Sequence, residues 1–327
     1  MHDIITMGSN TIDLFVHTDQ SDVIDIRSKQ GNREFISYPV GAKMLITKYM
    51  ESFGGNGANA AVCCARLGLK TAYLGEIGLD ANGKRILGNL KKEKVNFVGS
   101  RGKQSGFSII LDSIEEDRTI LVYKGCNNEM KCKEVKFSKL KAKWLYLSSM
   151  LEESLNTMIK VAEYARQNKI RIAFNPSATL LEKETKKALD LLRYTDVLVL
   201  NKEEAEGLVG NNAPEVNIKK LLTYGPQIIA ITDGKNGAIA YNEGQYYYIR
   251  PRPDVKVVET TGAGDAFAAT FTAGLLLKKP FVFCLKMAIN NAESAIAYPG
   301  AQEILLARKK LFDIVDKDKR PVEKRKA

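Results

Sequence analysis

Five segments of the sequence carry residue types and spacings suited to chemistry. The sharpest is Glu259-Thr260-Thr261-Gly262-Ala263-Gly264-Asp265-Ala266-Phe267, where a run of small residues opens directly into a long apolar helix. The N–H groups at a helix start have no intrahelical acceptor, and the helix dipole adds partial positive charge there. Small residues let an anion approach that backbone closely, so the turn suits a phosphoryl group. Asp265 has two readings. Aspartate often caps a helix start. A carboxylate beside an anion hole can also take the proton of an attacking hydroxyl, and Thr260 or Thr261 can already supply the cap.

The segment Gly54-Gly55-Asn56-Gly57-Ala58-Asn59-Ala60-Ala61 also precedes a helical pattern. Three readings stay open for it. Gly55-x-Gly57 resembles a dinucleotide-binding turn, with Glu76 near the place where an acidic residue should follow. The amides of Asn56 and Asn59 offer both donor and acceptor, which suits sugar hydroxyls. A tight helix-packing turn is the third. Gly78-Leu79-Asp80-Ala81-Asn82-Gly83-Lys84-Arg85 nearly spells a P-loop, but Arg85 stands where a Mg²⁺-ligating hydroxyl belongs and Asp80 stands inside the phosphate cradle, so it reads as a capped turn. Asn201 and Glu204, three apart after a strand candidate, suit either a water-bridged Mg²⁺ or an ordinary cap with an acidic first turn. Thr232-Asp233-Gly234-Lys235-Asn236-Gly237 is a further glycine-bearing loop after a strand.

The elements that must position these segments follow from periodicity. Short apolar runs at 4–7, 12–17, 33–38 and 43–52 read as strands, and 71–77 reads as one buried strand. Residues 107–111 and 119–123 flank a polar stretch at 112–118 and read as a hairpin. From Trp144 onward strands (144–147, 170–174, 197–200, 228–232) alternate with helices (153–168, 182–194, 202–209 with 216–223), the βαβ pattern of a mostly parallel sheet covered on both faces. Strands at 238–241 and 246–249 add an antiparallel edge, and helices at 264–277 and 281–298 close the pattern. The expected architecture is a single α/β body with a small β-rich lid drawn from about residues 12–50 and 105–125.

Composition narrows the function classes. The 327 residues are 45% hydrophobic and 27% charged, a globular mixture without an apolar run long enough to span a bilayer. The amino end lacks a secretory pattern, so no membrane partner is expected. Five cysteines without a C-x-x-C pair read as reduced thiols of a cytoplasmic protein, and with two histidines a multi-His metal centre is not expected. The net charge of +11 favours an anionic ligand such as a nucleotide. No aromatic-interleaved basic motif points to nucleic acid. Residues 308–327 hold nine Lys/Arg against four Asp/Glu and read as a solvated, frayed basic tail.

Taken together, the segments resemble the ribokinase-like, or PfkB, carbohydrate kinases, from about Gly8 to Gln302. The Gly54–Ala61 and Thr260–Asp265 segments look like that family's two signature motifs, and Asn201-x-x-Glu204 looks like its Asn-x-x-Glu motif. Gly8-Ser9-Asn10 with Asp13 is similar to its opening strand, and Gly125-Cys126-Asn127 to the segment after its lid hairpin. The resemblance implies the ribokinase-like fold and Mg²⁺-dependent transfer of the ATP γ-phosphoryl group to a hydroxyl of a monosaccharide, or alternatively of a ribonucleoside. It implies Asp265 as base and the amides of Gly262, Ala263 and Gly264 as anion hole. Asp13, Gly54, Gly55, Asn56, Asn59 and Glu152 would meet the sugar. Asn201, Thr232, Gly234, Gly237 and Asn291 would line the nucleotide site, with Asn201 and Glu204 organising Mg²⁺ through water. Glu259, Thr261 and Gly300 stand where the family builds a monovalent-cation (K⁺) site, although Glu259 replaces the usual Asp. Asn56 stands where ribokinases often have Lys, which points away from ribose. The polar segment 19–38 is longer than a minimal lid and suits a reshaped sugar pocket or a homodimer contact through the lid. The rival classes are an NAD-dependent oxidoreductase using Gly55-x-Gly57 and a non-enzymatic basic binding protein.

Overall fold

Along β12 (Ala142–Leu147), Leu145 and Leu147 enter one core while Trp144 and Tyr146 enter another. A strand puts successive side chains on opposite faces, so a run apolar at every position must be covered on both. That single strand states the plan of the molecule. The computed structural model describes residues 1–28, 31–112 and 118–327.

The chain begins with β1 (His2–Met7), β2 (Thr11–His17), β3 (Asp22–Ser28), β4 (Gly31–Ser37) and β5 (Lys48–Gly54). Next come α1 (Asn56–Arg66), β6 (Thr71–Leu74), β7 (Glu76–Gly78), α2 (Ala81–Lys92), β8 (Asn96–Phe97), β9 (Ser100–Gly102), β10 (Gly106–Asp112) and β11 (Arg118–Tyr123). After β12 the alternation runs α3 (Glu152–Gln167), β13 (Arg171–Phe174), α4 (Ala178–Leu192), β14 (Val197–Asn201), α5 (Lys202–Val209), α6 (Pro214–Leu222) and β15 (Ile228–Thr232). The last elements are β16 (Ala238–Asn242), β17 (Gln245–Ile249), α7 (Ala263–Leu276), α8 (Phe281–Ala295), α9 (Arg308–Lys317) and β18 (Val322–Lys326).

The main sheet has the order β18-β17-β16-β15-β14-β13-β12-β1-β6-β8. From β15 through β8 the pairs are parallel, so the carboxyl ends of these strands share one rim. On one face α3 to α6 bury residues such as Leu155, Met158, Leu180 and Leu221; on the other, α1, α7, α8 and α9 bury Val62, Phe271, Leu285 and Leu311. A second sheet, β11-β10-β2-β5, leans on α1 and α2 through Ile12, Ala58, Ile86 and Leu90. It draws its strands from the two regions expected to form the lid.

Four expectations need correction. The run 71–77 is not one strand. Gly75 breaks it, β6 stays in the main sheet, and β7 pairs instead with β9. The strand expected over 43–52 begins at Lys48, and β3, not anticipated in its polar segment, pairs with β4 to make a two-stranded sheet of its own. The hairpin over 107–123 is present in β10 and β11, while residues 113–117 of its connection lie outside the described residues. The largest correction is the carboxyl terminus. It is not a frayed tail: α9 buries Leu311 and Val315, one helical turn apart, and β18 extends the main sheet against β17. Arg320 inserts between Glu293 and Asp318, forming an ion pair of 2.7 Å with each, and anchors the segment. The basic residues crowd the exposed faces of these elements, so net charge masked two buried apolar positions and one edge strand.

Candidate active site

The helix α7 is apolar almost all round, and it is buried accordingly between α1 and α8. Its amino end surfaces at the rim of strand carboxyl ends, where open α/β sheets bind ligands. Gly262 adopts the left-handed conformation (φ 84°) that lets the chain turn into the helix, and a side chain there would collide with Ala301. The Ala263 N–H donates to Thr260 O at 3.2 Å, but among the described residues the N–H groups of Gly262 and Gly264 find no main-chain acceptor. Space stands open in front of them, since a Cβ at Gly264 would meet nothing within 4 Å.

Asp265 sits half-buried in the first turn of α7. It is not the N-cap residue of the helix, which is Gly262. Instead its Oδ2 accepts from Asn59 Nδ2 on α1 at 2.8 Å. Asn59 is held in turn, because its Oδ1 accepts from Gln302 Nε2 at 2.9 Å and Gln302 Oε1 accepts from Asn89 Nδ2 at 2.9 Å. Arg66 clamps the Gln302 carbonyl at 2.6 Å while making a twin-bonded pair with Glu93, which fixes the loop that carries Gln302. Burial pushes the Asp265 carboxyl up to about 6, opposed by the Asn59 donor and assisted by the nearby charge of Asp13. A carboxyl with that value is ionised at neutral pH yet basic enough to accept a proton.

Asp13 projects from β2 and is buried, accepting from Thr11 Oγ1 at 2.8 Å. Burial raises its carboxyl pKa, and bonds from Thr11 and Ser108 partly offset this. Gly54 is required beside it, because a Cβ there would lie 1.9 Å from Asp13 Oδ2. Gly55 (φ 90°) and Gly57 press equally hard on the β1–β2 turn: added Cβ atoms would lie 2.4 Å from Asn10 Cα and 2.5 Å from Gly8 Cα. The N–H groups of Gly57 and Ala58 both donate to Ser9 O at 3.1 Å. Two amides at the start of α1 are therefore spent on the chain itself, and the β1–β2 backbone fills the side of the turn that a pyrophosphate would approach. Of the three readings of this segment, the packing turn accounts for its glycines, and the dinucleotide reading falls. Asn56 is also engaged, accepting from Ser9 N and Oγ at 3.0 Å each and donating to Ser149 O at 3.4 Å.

At the rim, Asn201 and Thr232 are register partners on the last rung of β14 and β15. Asn201 and Glu204 form a reciprocal cap, with Asn201 N donating to Glu204 Oε2 at 2.8 Å and Glu204 N to Asn201 Oδ1 at 2.7 Å. Glu204 is buried, and its carboxyl is pushed up to about 7 by burial, eased by the N–H groups of Asn201 and Ala178 but raised further by the charge of Asp265. Two carboxylates in one another's field, one buried and one half-buried, make a site that a divalent cation would relieve. The Thr232 loop turns through Gly234 (φ 44°) and Gly237 (φ 94°), and a Cβ on Gly237 would lie 2.0 Å from Ile249 O.

The model of the pfkB family carbohydrate kinases matches residues 23–308, nearly the whole of this architecture. The chain belongs to that family. It is a phosphotransferase with an alcohol acceptor. The kinase is 31% identical over 254 residues to a ribokinase of Lactococcus lactis subsp. lactis, covering 76% of this chain and 81% of the relative. It is 25% identical over 305 residues to a 5-dehydro-2-deoxygluconokinase of Clostridium botulinum, covering 87% and 89%. The Arabidopsis thaliana ribokinase solved with ribose and ATP superposes with a TM-score of 0.79 at 21% identity, covering 96% of this chain and 98% of that one, and shows the shared ribokinase-like fold.

Within the kinase, Asp265, Asn59, Asp13, Gly54 and Glu204 lie in one another's reach or field. Asn291 does not. It is fully buried, with Nδ2 on Thr270 Oγ1 at 2.7 Å and Oδ1 holding Leu306 N at 2.9 Å, so it braces α7 and α8 and is corrected from a nucleotide contact to a core residue. Glu152, at the start of α3, is exposed with a left-handed backbone (φ 52°) and accepts from Asn128 at 3.2 Å. Glu259 Oε1 accepts from both the N–H and the hydroxyl of Thr261 at 2.8 Å, while Gly300 packs beside Ser52 and Glu303. Motif reading missed Gln302, Asn89, Ser108 and Lys124. Only Lys124 lay beside a recognised segment, directly before Gly125-Cys126-Asn127.

Proposed function

We propose that this kinase transfers the γ-phosphoryl group of ATP to a hydroxyl of a monosaccharide, with Asp265 as general base. One observation carries the reading: a half-buried carboxylate raised to about 6 stands beside helix-start amides without main-chain acceptors. Asp265 Oδ1 takes the proton of the attacking hydroxyl while Asn59 holds Oδ2 in place. The N–H groups of Gly262 and Gly264 receive the charge on the phosphoryl oxygens, preorganised at the start of α7. Asp13, buried on β2, orients a neighbouring hydroxyl of the acceptor. The second sheet serves as the lid that excludes water. Thr232, Gly234 and Gly237 line the nucleotide side.

Mg²⁺ fits the rim, where Asn201 and Glu204 would hold its waters. Bound there it supplies charge neutralisation for the phosphates. The Thr261 hydroxyl and amide already serve Glu259, so no monovalent cation enters the proposal. A second copy of the chain suits the β11 edge of the second sheet, where Ile120 and Val122 on one face and Leu121 on the other are exposed. Sedimentation at several concentrations reads that directly.

The decisive experiment is an ATP-consumption screen against pentoses, hexoses, keto-deoxy sugar acids and nucleosides, run with wild type and Asp265→Asn. Consumption with a sugar, abolished by the substitution, is the expected result. Turnover retained by Asp265→Asn removes it as the base, and stabilisation by NAD in place of Mg-ATP removes the kinase reading of the site.

A further inference from the structure

Beside the Asp13–Asn59–Asp265 group lies a small recess lined by Ser9, Asn56, Lys124, Asn128, Ser149 and Thr179. Its volume is ≈ 40 Å³. A single water needs roughly 10–15 Å³ of such space, so the recess has room for a group of a few atoms, the size of a carboxylate. No acidic side chain lines it. Lys124 enters it from the end of β11, half-buried. Among the described residues its ammonium makes no hydrogen bond or ion pair. Burial and the charge of Lys183 depress its pKa, and the attraction of Asp13 only partly offsets this. The Ser149 hydroxyl is buried with no hydrogen-bond partner. The start of α4 stands on the same wall, through Thr179. Neighbouring polar groups are already engaged: Asn56 Oδ1 by Ser9, and the Asn128 amide by Glu152. What remains is a partly desolvated cation and an orphaned hydroxyl, both donors. An unpaired cation out of water is costly unless an anion meets it.

We propose that the acceptor is a sugar acid whose carboxylate seats in this recess against Lys124 and the Ser149 hydroxyl. This rests on the kinase site described above and narrows its substrate class. Asn56 lines the recess and opens α1, and Asn59 on the first turn of the same helix holds Asp265. An acceptor anchored by a terminal carboxylate therefore lies along Asp13 with a hydroxyl presented to the base. The carboxylate takes no part in the transfer; it positions the chain of hydroxyls and selects against neutral pentoses.

The test compares a six-carbon keto-deoxy aldonate with ribose, fructose and a sugar phosphate, using the full chain and Mg-ATP. The aldonate is expected to have the highest kcat/KM. Lys124→Met should lower that value about 10- to 100-fold, mainly through KM, as expected for losing a charged hydrogen bond. The KM for ATP should stay the same, and Lys124→Arg should recover most of the loss. Preference for a neutral sugar or a sugar phosphate overturns the proposal, as does an equal loss on every acceptor. Calorimetric titration of the aldonate without ATP reads the recess independently of turnover: weaker binding to Lys124→Met supports the proposal, and no binding to wild type defeats it. Should wild type phosphorylate ribose with Lys124→Met unchanged, the kinase site stands and the carboxylate recess falls. Should Asp265→Asn stay active, the base assignment falls while the titration still decides the recess.

Discussion

Two glycine-rich turns start α1 and α7, which meet through Asn59 and Asp265, and they use glycine for opposite ends. In the α1 turn, Cβ atoms at Gly54, Gly55 and Gly57 would fall 1.9, 2.4 and 2.5 Å from other atoms, and two helix-start amides end on Ser9 O. Glycine there lets one backbone close on another. In the α7 turn, Gly264 faces open space and two amides lack main-chain acceptors. Glycine there keeps a volume empty for a ligand. The same letters thus encode a scaffold in one place and a binding surface in the other. The space in front of Gly264 tells them apart.

Four predictions bear on that contrast, from the largest effect to the smallest. Asp265→Asn should lower kcat by about 10²- to 10⁴-fold, the range for losing a general base, measured on the accepted sugar. The same substitution should stabilise the fold. The folded carboxyl at about 6 lies above its ordinary 3.8, so its favourable term is complete below that lower value and disappears as pH rises through the folded one. At roughly pH 7.5 ionised Asp265 therefore burdens the native state, and Asp265→Asn should gain up to about 3 kcal/mol there and almost nothing near pH 4, read by urea unfolding. In the same range kcat/KM of wild type should fall as pH drops below about 6. Asn59→Leu removes the donor that holds the carboxyl down and should move that limb upward.

Gly57→Ala should destabilise by about 1–3 kcal/mol, because the methyl meets the Gly8 backbone and no flexible side chain can yield. A neutral unfolding midpoint would erase the distinction between the two turns. Gly264→Ala should be the mildest for stability, a gain of about 0.4–1 kcal/mol from reduced freedom of the unfolded chain. It should nonetheless raise the KM for ATP or lower kcat, because its methyl enters the space facing the free amides. Unchanged kinetics would show that the open volume is not where the phosphoryl group sits.

The parallel sheet was legible because its strands are short apolar runs between amphipathic helices, as at Val197–Asn201 and Ile228–Thr232. The carboxyl-terminal α9 and β18 were not, since only Leu311 and Val315 show through nine basic residues. The break at Gly75 was hidden because both halves of the run are buried, in different sheets. Within the site, Asp265 stood out by its neighbours in the chain. Asn59 was visible as a candidate but was expected to meet the sugar, whereas its amide is held between Asp265 and Gln302. No local pattern marks Gln302 or Lys124, and the resemblance put Asn291 at the nucleotide because its partners, Thr270 and Leu306, lie on other segments.

Local order along the chain thus determined which helix could cradle an anion and which acid would stand beside it, because caps, small residues and apolar periods act over a few neighbours. Folding alone decided which of the two glycine turns stayed open, and it raised the Asp265 carboxyl by burying it while bringing up Asn59, 206 positions away, to hold that rise in check. Hydrogen-bond saturation and desolvation depend on what arrives from elsewhere in the chain, and residue spacing does not contain that information.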